Sequence, residues 1–370
     1  MEMSDSFWRV MLMGTLFSLN TSMYAINQAI GKARTDLWLS VLAGAIPAAV
    51  GVWLLFGTAR RYPDRSLMEE LAHRHPFAGR LITALYLLFF FLMMVRDFRM
   101  TNDLINMVLL PYTPAEVILI ISVATAILIA RNPSEVVIRI NQLGQPVFLA
   151  ASAFVILMLA NRFDLSNFFP MFESGVVPPL EGGWYFFAYF GEIVALPFVF
   201  AGRELTALRG WVSLLVTVIL LELIGFTMIA VLGIHIPTML QYPVFNLVEF
   251  IKITDFLDRF ELILVSIYLP GQIVKSAILL FILCRGLALL LTGSREKPSS
   301  GGAHPPDPAA YVFAVPLGAL GYAGASLFFH DTIELFPLNR VWPVLSAPFV
   351  LLLPLAMYVF LRPGRSSRRS

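Results

Sequence analysis

The stretch GWYFFAYFGEIVALPFVFA, residues 183–201, is a run of apolar chain that carries one acid, Glu192, and one proline, Pro197, five residues later. A run of that length and hydrophobicity suits a helix crossing about 30 Å of hydrocarbon. Proline removes a backbone donor and clashes with the preceding turn, so Gly191-Glu192 followed by Pro197 marks a place where such a helix breaks. A carboxylate in that setting is costly, which makes Glu192 either a binding group or half of a structural ion pair.

The rest of the chain fits a membrane setting. Apolar residues make up 58% and charged residues 14% of its 370 residues, with a mean hydropathy of +0.78. A soluble domain holds about 45–50% apolar and about 25% charged residues, so this chain would expose more apolar surface than water tolerates. A net charge of +2 argues against nucleic acid, and the single Cys284 excludes an internal disulfide or a multi-cysteine metal site. The first apolar stretch follows Arg9 without a small-residue cleavage site, and is read as a span rather than a leader.

Runs of about twenty apolar residues predict ten spans. They cover 7–29, 37–59, 81–110, 115–130, 137–160, 183–201, 211–234, 260–291, 311–329 and 341–361. If the N-terminus is cytoplasmic, most lysines and arginines fall on that side, among them Arg60, Arg61, Arg65, Arg74 and Arg80. The positive-inside bias then puts both termini in the cytoplasm, which requires an even number of spans. Residues 292–309 (TGSREKPSSGGAHPPDPA) read as a flexible cytoplasmic linker and 362–370 as a basic cytoplasmic tail. Between spans seven and eight, Ile253, Phe256, Leu257 and Phe260 recur at helical spacing, with Asp255 and Arg259 four apart on another face. That pattern predicts an amphipathic helix over the extracellular mouth.

Polar groups inside the spans are the candidate functional residues. Asn20-Thr21-Ser22 interrupts the first span, as Gly191-Glu192 and Pro197 interrupt the sixth. Spans one and six open two five-helix halves, 1–160 and 183–361, within a single transmembrane domain. This is the pattern of an all-α, five-plus-five inverted-repeat fold (LeuT-like) whose first and sixth helices are discontinuous. Such folds bind substrate at the midplane, where exposed amides meet a carboxylate and exposed carbonyls meet an ammonium or a cation. The other intramembrane charges are Arg96, Asp97, Arg99 and Asp103 in span three, Glu222 in span seven and Lys275 in span eight. Adjacent residues on a helix do not face each other, so Asp97 is not expected to meet Arg96, whereas Arg99 and Asp103 can pair. A lone intramembrane Lys275 needs a carboxylate, and Glu192 and Glu222 are the expected partners. No catalytic triad, phosphate-binding loop, dinucleotide fingerprint or zinc spacing is present, so an enzyme is not expected and no cofactor is implied.

Several segments in order resemble the B subunit of spore germinant receptors, a branch of the amino acid–polyamine–organocation transporter superfamily. They are Asp36-Leu37-Trp38-Leu39-Ser40, Tyr62-Pro63 with Glu69-Glu70, Arg96-Asp97-Phe98, Thr113-Pro114, and Ala130-Arg131-Asn132 with Ile138-Arg139. Gly191-Glu192 with Pro197, Tyr242-Pro243 through Phe256-Leu257-Asp258-Arg259-Phe260-Glu261, and Val274-Lys275 complete the set. The family's glycine-rich break in helix one is replaced here by Leu19-Asn20-Thr21-Ser22. The resemblance implies a germinant receptor subunit in the inner membrane of an endospore. It would sense a small germinant, typically an amino acid, with an A subunit and a lipoprotein C subunit as partners.

A sensor of this kind would hold its ligand with Asn20, Thr21, Met94, Phe190, Gly191, Glu192, Gln272 and Lys275. Glu222, Lys275, Asp255 and Arg259 are the candidates for gating or coupling. A proton-coupled amino acid transporter would use the same pocket for alternating access, and a germinant-linked ion channel is a third reading.

Overall fold

The computed structural model describes residues 2–63, 65–74, 77–240, 242–250, 260–292, 308–327 and 335–360, and every regular element among them is helical. The first rod is α1 (Glu2–Leu19) with α2 (Ser22–Ala33), and the second is α3 (Leu37–Ala59). A short α4 (Leu67–Arg74), which the hydropathy pattern does not reveal, precedes the third rod, α5 (Ala78–Leu104), extended by a π-helical turn at Ile105–Leu109. The fourth and fifth rods are α6 (Ala115–Ala130) and α7 (Ser134–Leu159). The sixth is α8 (Val177–Phe190) continued by a 3-10 segment, Gly191–Phe198, and the seventh is α9 (Ala207–Leu232). Two short helices, α10 (His235–Met239) and α11 (Pro243–Asn246), lead to α12 (Phe260–Thr292), the eighth rod. The ninth is α13 (Pro308–Leu327), and the tenth joins α14 (Leu335–Ala347) to α15 (Leu353–Phe360) through a π-helical turn at Pro348–Leu352.

Among the described residues, ten rods therefore stand where ten spans are expected, in an integral membrane protein. By length and composition, six helical stretches among the described residues can cross a membrane, with Ala115–Ala130 and Val312–Leu327 as shorter apolar helices. The sixth rod begins at Val177 rather than Gly183 because its two prolines, Pro178 and Pro179, lie in the first turn. A missing N–H costs nothing there. Most of 292–309, all of 362–370, and Asp255 and Arg259 with the amphipathic stretch lie outside the described residues.

The packing has the exchange pattern of a five-plus-five inverted repeat. The second rod packs on the sixth (α3 on α8) and the seventh on the first (α9 on α1). Likewise the fourth packs on the eighth (α6 on α12) and the ninth on the third (α13 on α5). In lipid no hydrophobic gain holds rods together, so close approach and polar contacts must do it. The α3–α8 and α1–α9 contacts use small residues. A Cβ on Gly44 would lie 2.6 Å from the Gly183 carbonyl oxygen, and one on Gly14 would collide with Ser213.

The first and sixth rods form the centre. Val10, Met13, Leu16 and Phe17 of α1 have no exposed surface, and residues 186–198 of the sixth rod are buried without interruption. A helix apolar on every side belongs inside a bundle. Outer rods show the reverse, with Ile46, Leu143 and Leu157 left on the surface for lipid.

Candidate functional site

Both central rods break at the same depth. In the first, the break spans two residues: the Asn20 amide still reaches the Leu16 carbonyl at 3.4 Å, and the Tyr24 amide meets Thr21 at 3.0 Å. Short hydroxyl side chains compete with the backbone for hydrogen bonds, so a Ser/Thr/Asn run favours such a break. The hydroxyl of Ser22 donates to the Ser18 carbonyl, and Tyr268 of α12 donates to the Asn20 carbonyl at 2.9 Å. Ser18 shares a 2.7 Å bond with Thr217 of α9, which pins the break to the seventh rod. In the sixth rod the α-helix tightens at Gly191, where any Cβ would collide with Val350 in the π turn of the tenth rod.

Four charged side chains meet between the breaks. Arg96 and Asp97 come from α5, Glu192 from the sixth rod and Lys275 from α12, and none is more than 1% exposed. Arg96 donates through Nε (3.1 Å) and Nη2 (2.6 Å) to Asp97 Oδ1, and through Nη2 to Glu192 Oε1 at 2.5 Å. Lys275 Nζ lies 2.9 Å from Asp97 Oδ2 and also pairs with Glu192 Oε2. Thr21 closes the circuit by accepting from Lys275 at 3.0 Å and donating to Glu192 at 2.9 Å. Two cations and two anions leave the cluster neutral, the condition under which buried charges are tolerable. The guanidinium also lies 4.1 Å from the Trp342 ring centre and 5.0 Å from that of Tyr189, and the ammonium 5.6 Å from that of Phe17.

Two expectations are corrected. Arg96 does meet Asp97, because the long arginine side chain folds sideways and both groups point into the same buried centre. Glu222 is not a partner of Lys275. It lies on α9 in a different, apolar cavity, and Asp97 takes the place expected for it. Arg99 and Asp103 pair at 3.0 Å, as their spacing predicts.

The remaining candidates divide. Asn20 and Gln272 stand next to the cluster: Gln272 donates to the Tyr268 hydroxyl, and a Cβ on Gly271 would lie 2.7 Å from Asn20 Nδ2. Phe190 is buried just above the sixth-rod break, 5.8 Å from Phe186. Met94 is buried on α5 two residues before Arg96, with its methyl group near Gly321 of α13. Three buried atoms around the cluster, Asn20 Oδ1, Gln272 Oε1 and Arg96 Nη1, make no hydrogen bond in the structure. Arg96 and Asp97 are absent from the ligand contacts expected above, although two charges in the middle of an apolar run are a strong signal. Sequence alone gives no means of finding Tyr189, Tyr268 and Trp342, since aromatic residues occur throughout the chain.

Aromatic layers close the site on both sides. Toward the end where α2 finishes, Tyr24, Tyr242, Phe245 and Tyr268 pack edge to face at 5.2–6.4 Å. Beyond them opens a cavity of about 470 Å³ lined by Asn27, Gln28, Gly31, Lys32, Tyr185 and Arg340. On the opposite side, Tyr86, Phe90 and Phe198 form a cluster, and Phe89 stacks on Phe349 at 4.4 Å. Among the described residues, the charge cluster lies buried between these aromatic layers.

A family described as spore germination protein matches residues 6–299. YfkT of Bacillus subtilis (strain 168), named for spore germination, is 30% identical over 358 residues, 96% of each chain. Spore germination protein KB of the same organism is 23% identical over 362 residues, 95% of this chain and 92% of that one. Among solved structures, the nucleobase-cation-symport-1 family transporter Mhp1, in a closed conformation with bromovinylhydantoin bound, aligns with a TM-score of 0.68. The identity there is 14%, over 96% of this chain and 78% of that one. A Na+-coupled sialic acid symporter in a substrate-bound outward-open state gives a TM-score of 0.50 at 13% identity, over 95% and 86%. At those identities the likeness is one of fold, and the relatives are named for germination or transport.

Proposed function

This chain belongs to the spore germination protein family, and we propose that it is the membrane subunit of a spore germinant receptor that binds a small germinant, an amino acid, at the midplane. The observation that carries this reading is the neutral four-charge cluster at the point where the first and sixth rods break. Asn20 and Gln272 beside it hold unsatisfied acceptor oxygens, which suit a ligand rich in N–H donors. Thr21, Glu192 and Lys275 contact the ligand's charged ends, and Gly191 and Phe190 shape the sixth-rod wall. Binding an amino acid here exchanges some of the contacts of Lys275 for contacts of the ligand's own ammonium. Only a ligand with different affinity for the two arrangements shifts the balance between them, so the signal is a rearrangement of Lys275 and the rods it joins.

In this reading the subunit acts in the inner membrane of the endospore with both termini cytoplasmic, beside an A subunit and a lipoprotein C subunit. Its repeats are 1–160 and 183–361. The likeness in fold to transporters supports a second reading, a proton-coupled amino acid transporter that uses the same cluster for coupling.

One experiment separates the two. The full chain is placed in liposomes and offered a panel of labelled amino acids, with and without an imposed proton gradient. Saturable binding without accumulation, lost in Glu192→Gln, is the result expected of a receptor. Gradient-driven accumulation would make the chain a transporter, and no saturable binding of any amino acid would remove the midplane assignment.

A further inference from the structure

Away from the charge cluster, a cavity of about 550 Å³ lies between α3, α9 and the segment at residues 165–171. Its walls are apolar, built from Trp38, Val41, Phe168, Met171, Leu221 and Phe226, and it contains no lysine or arginine. The ring of Phe168 stacks on that of Phe226 at 4.8 Å, which forms one firm wall. Leu165 and Leu223 on its rim are exposed, so the cavity opens toward lipid. Two polar side chains reach it. The Thr35 hydroxyl is occupied, donating to the Pro170 carbonyl at 3.0 Å. Glu222 is different: it is part-buried, its Oε1 is buried without a hydrogen-bond partner, and among the described residues it makes no ion pair. A carboxylate among hydrocarbon walls without a cation is among the costliest groups a membrane protein can carry, and an ammonium is its natural complement.

We propose that this cavity is a second binding site, for a hydrophobic primary amine whose ammonium sits on Glu222 and whose apolar body lies against Trp38, Phe168 and Phe226. Depth argues for a free amine over an aminophospholipid. Glu222 lies ten residues before the end of α9 at Leu232, about 15 Å along the axis. An upright, centred α9 of 26 residues overhangs about 30 Å of hydrocarbon by only a few ångströms at each end, which would place the carboxylate about 10 Å below the headgroup boundary. A lipid ammonium stays at the headgroup level, whereas a free amine travels down the groove. An occupant there touches α3 and α9, the two helices that pack on the sixth and first rods.

The test uses the full chain in phosphatidylcholine nanodiscs and a long-chain primary alkylamine bearing a photoactivatable diazirine, beside the chain-matched alcohol. Saturable crosslinking within residues 221–229 is expected, with the alcohol at least about tenfold weaker, the worth of a charge-assisted hydrogen bond. Glu222→Gln should bring the amine down to the level of the alcohol. Leu223→Trp keeps the carboxylate and fills the groove, and should abolish both, which leaves a second readout if the first variant folds poorly. Equal labelling by amine and alcohol, or amine labelling unchanged in Glu222→Gln, would overturn the site. Competition by added phosphatidylethanolamine at membrane concentrations would overturn the choice of a free amine and make the headgroup the occupant.

Discussion

Replacing Lys275 by methionine keeps most of its volume and removes the charge that lies against Asp97 and Glu192. At an effective dielectric constant of about 20, each ammonium–carboxylate pair near 3 Å contributes about 5 kcal/mol, set against several kcal/mol of desolvation for the ammonium. The intact cluster is therefore close to balanced, and the asymmetry appears when one member goes. Lys275→Met leaves two buried carboxylates sharing the Arg96 guanidinium, a net charge of −1 with no solvent access. Removing one partner of a buried pair costs about 3–5 kcal/mol, most of it from the charge left behind. Lys275→Met with Glu192→Gln leaves the neutral Arg96–Asp97 pair, and should recover about 2 kcal/mol or more relative to the sum of the single changes. Equilibrium unfolding of parent, both singles and the double variant in lipid–detergent mixed micelles measures all four corners. A Lys275→Met cost below about 1 kcal/mol, or additivity within about 0.5 kcal/mol, would refute the claim that the four charges act as one neutral unit.

Gly44→Ala puts a Cβ 2.6 Å from the Gly183 carbonyl oxygen and should cost about 1–3 kcal/mol by forcing α3 off α8. Gly31→Ala has nothing within 4 Å and should stabilise the same chain by about 0.5–1 kcal/mol through helix propensity; parallel unfolding curves check both. Arg96→Lys keeps the charge but cannot bridge Asp97 and Glu192 while covering Trp342, so a loss of about 2–3 kcal/mol is expected, read by the same titration. The pair of Lys32 and Glu181 is 2.5 Å long but exposed, so Glu181→Gln should change stability by less than about 1 kcal/mol. A larger effect there would mean that the outer end of the bundle is drier than its exposure implies.

Much of the architecture was legible in one dimension. Bilayer thickness imposes a run length, and the runs at Leu37–Ala59 and Ala115–Ala130 match their helices end to end. The breaks were legible too, because Asn20-Thr21-Ser22 and Gly191 with Pro197 are residue types that weaken a helix wherever they stand. Boundaries slipped where polar or proline residues extended a helix past its apolar core, as at Pro178–Pro179 and in the tenth rod, which starts at Leu335.

Pairing between rods was legible only in part. The sequence established that Arg96, Asp97, Glu192, Glu222 and Lys275 each needed a partner inside the membrane, since burying a charge is costly whatever the fold. Spacing on one helix named the Arg99–Asp103 pair, and charge alone named Glu192 among the partners of Lys275, but Asp97 was not foreseen in place of Glu222, because partners on different rods are related only by how those rods pack. The tertiary structure assigned Lys275 to Asp97 and Glu192, turned Arg96 onto its own neighbour, and left Glu222 in an apolar groove. Periodicity and hydropathy act along one chain segment, while ion pairing is decided by distances of about 3 Å between segments, and those distances exist only once the rods are docked.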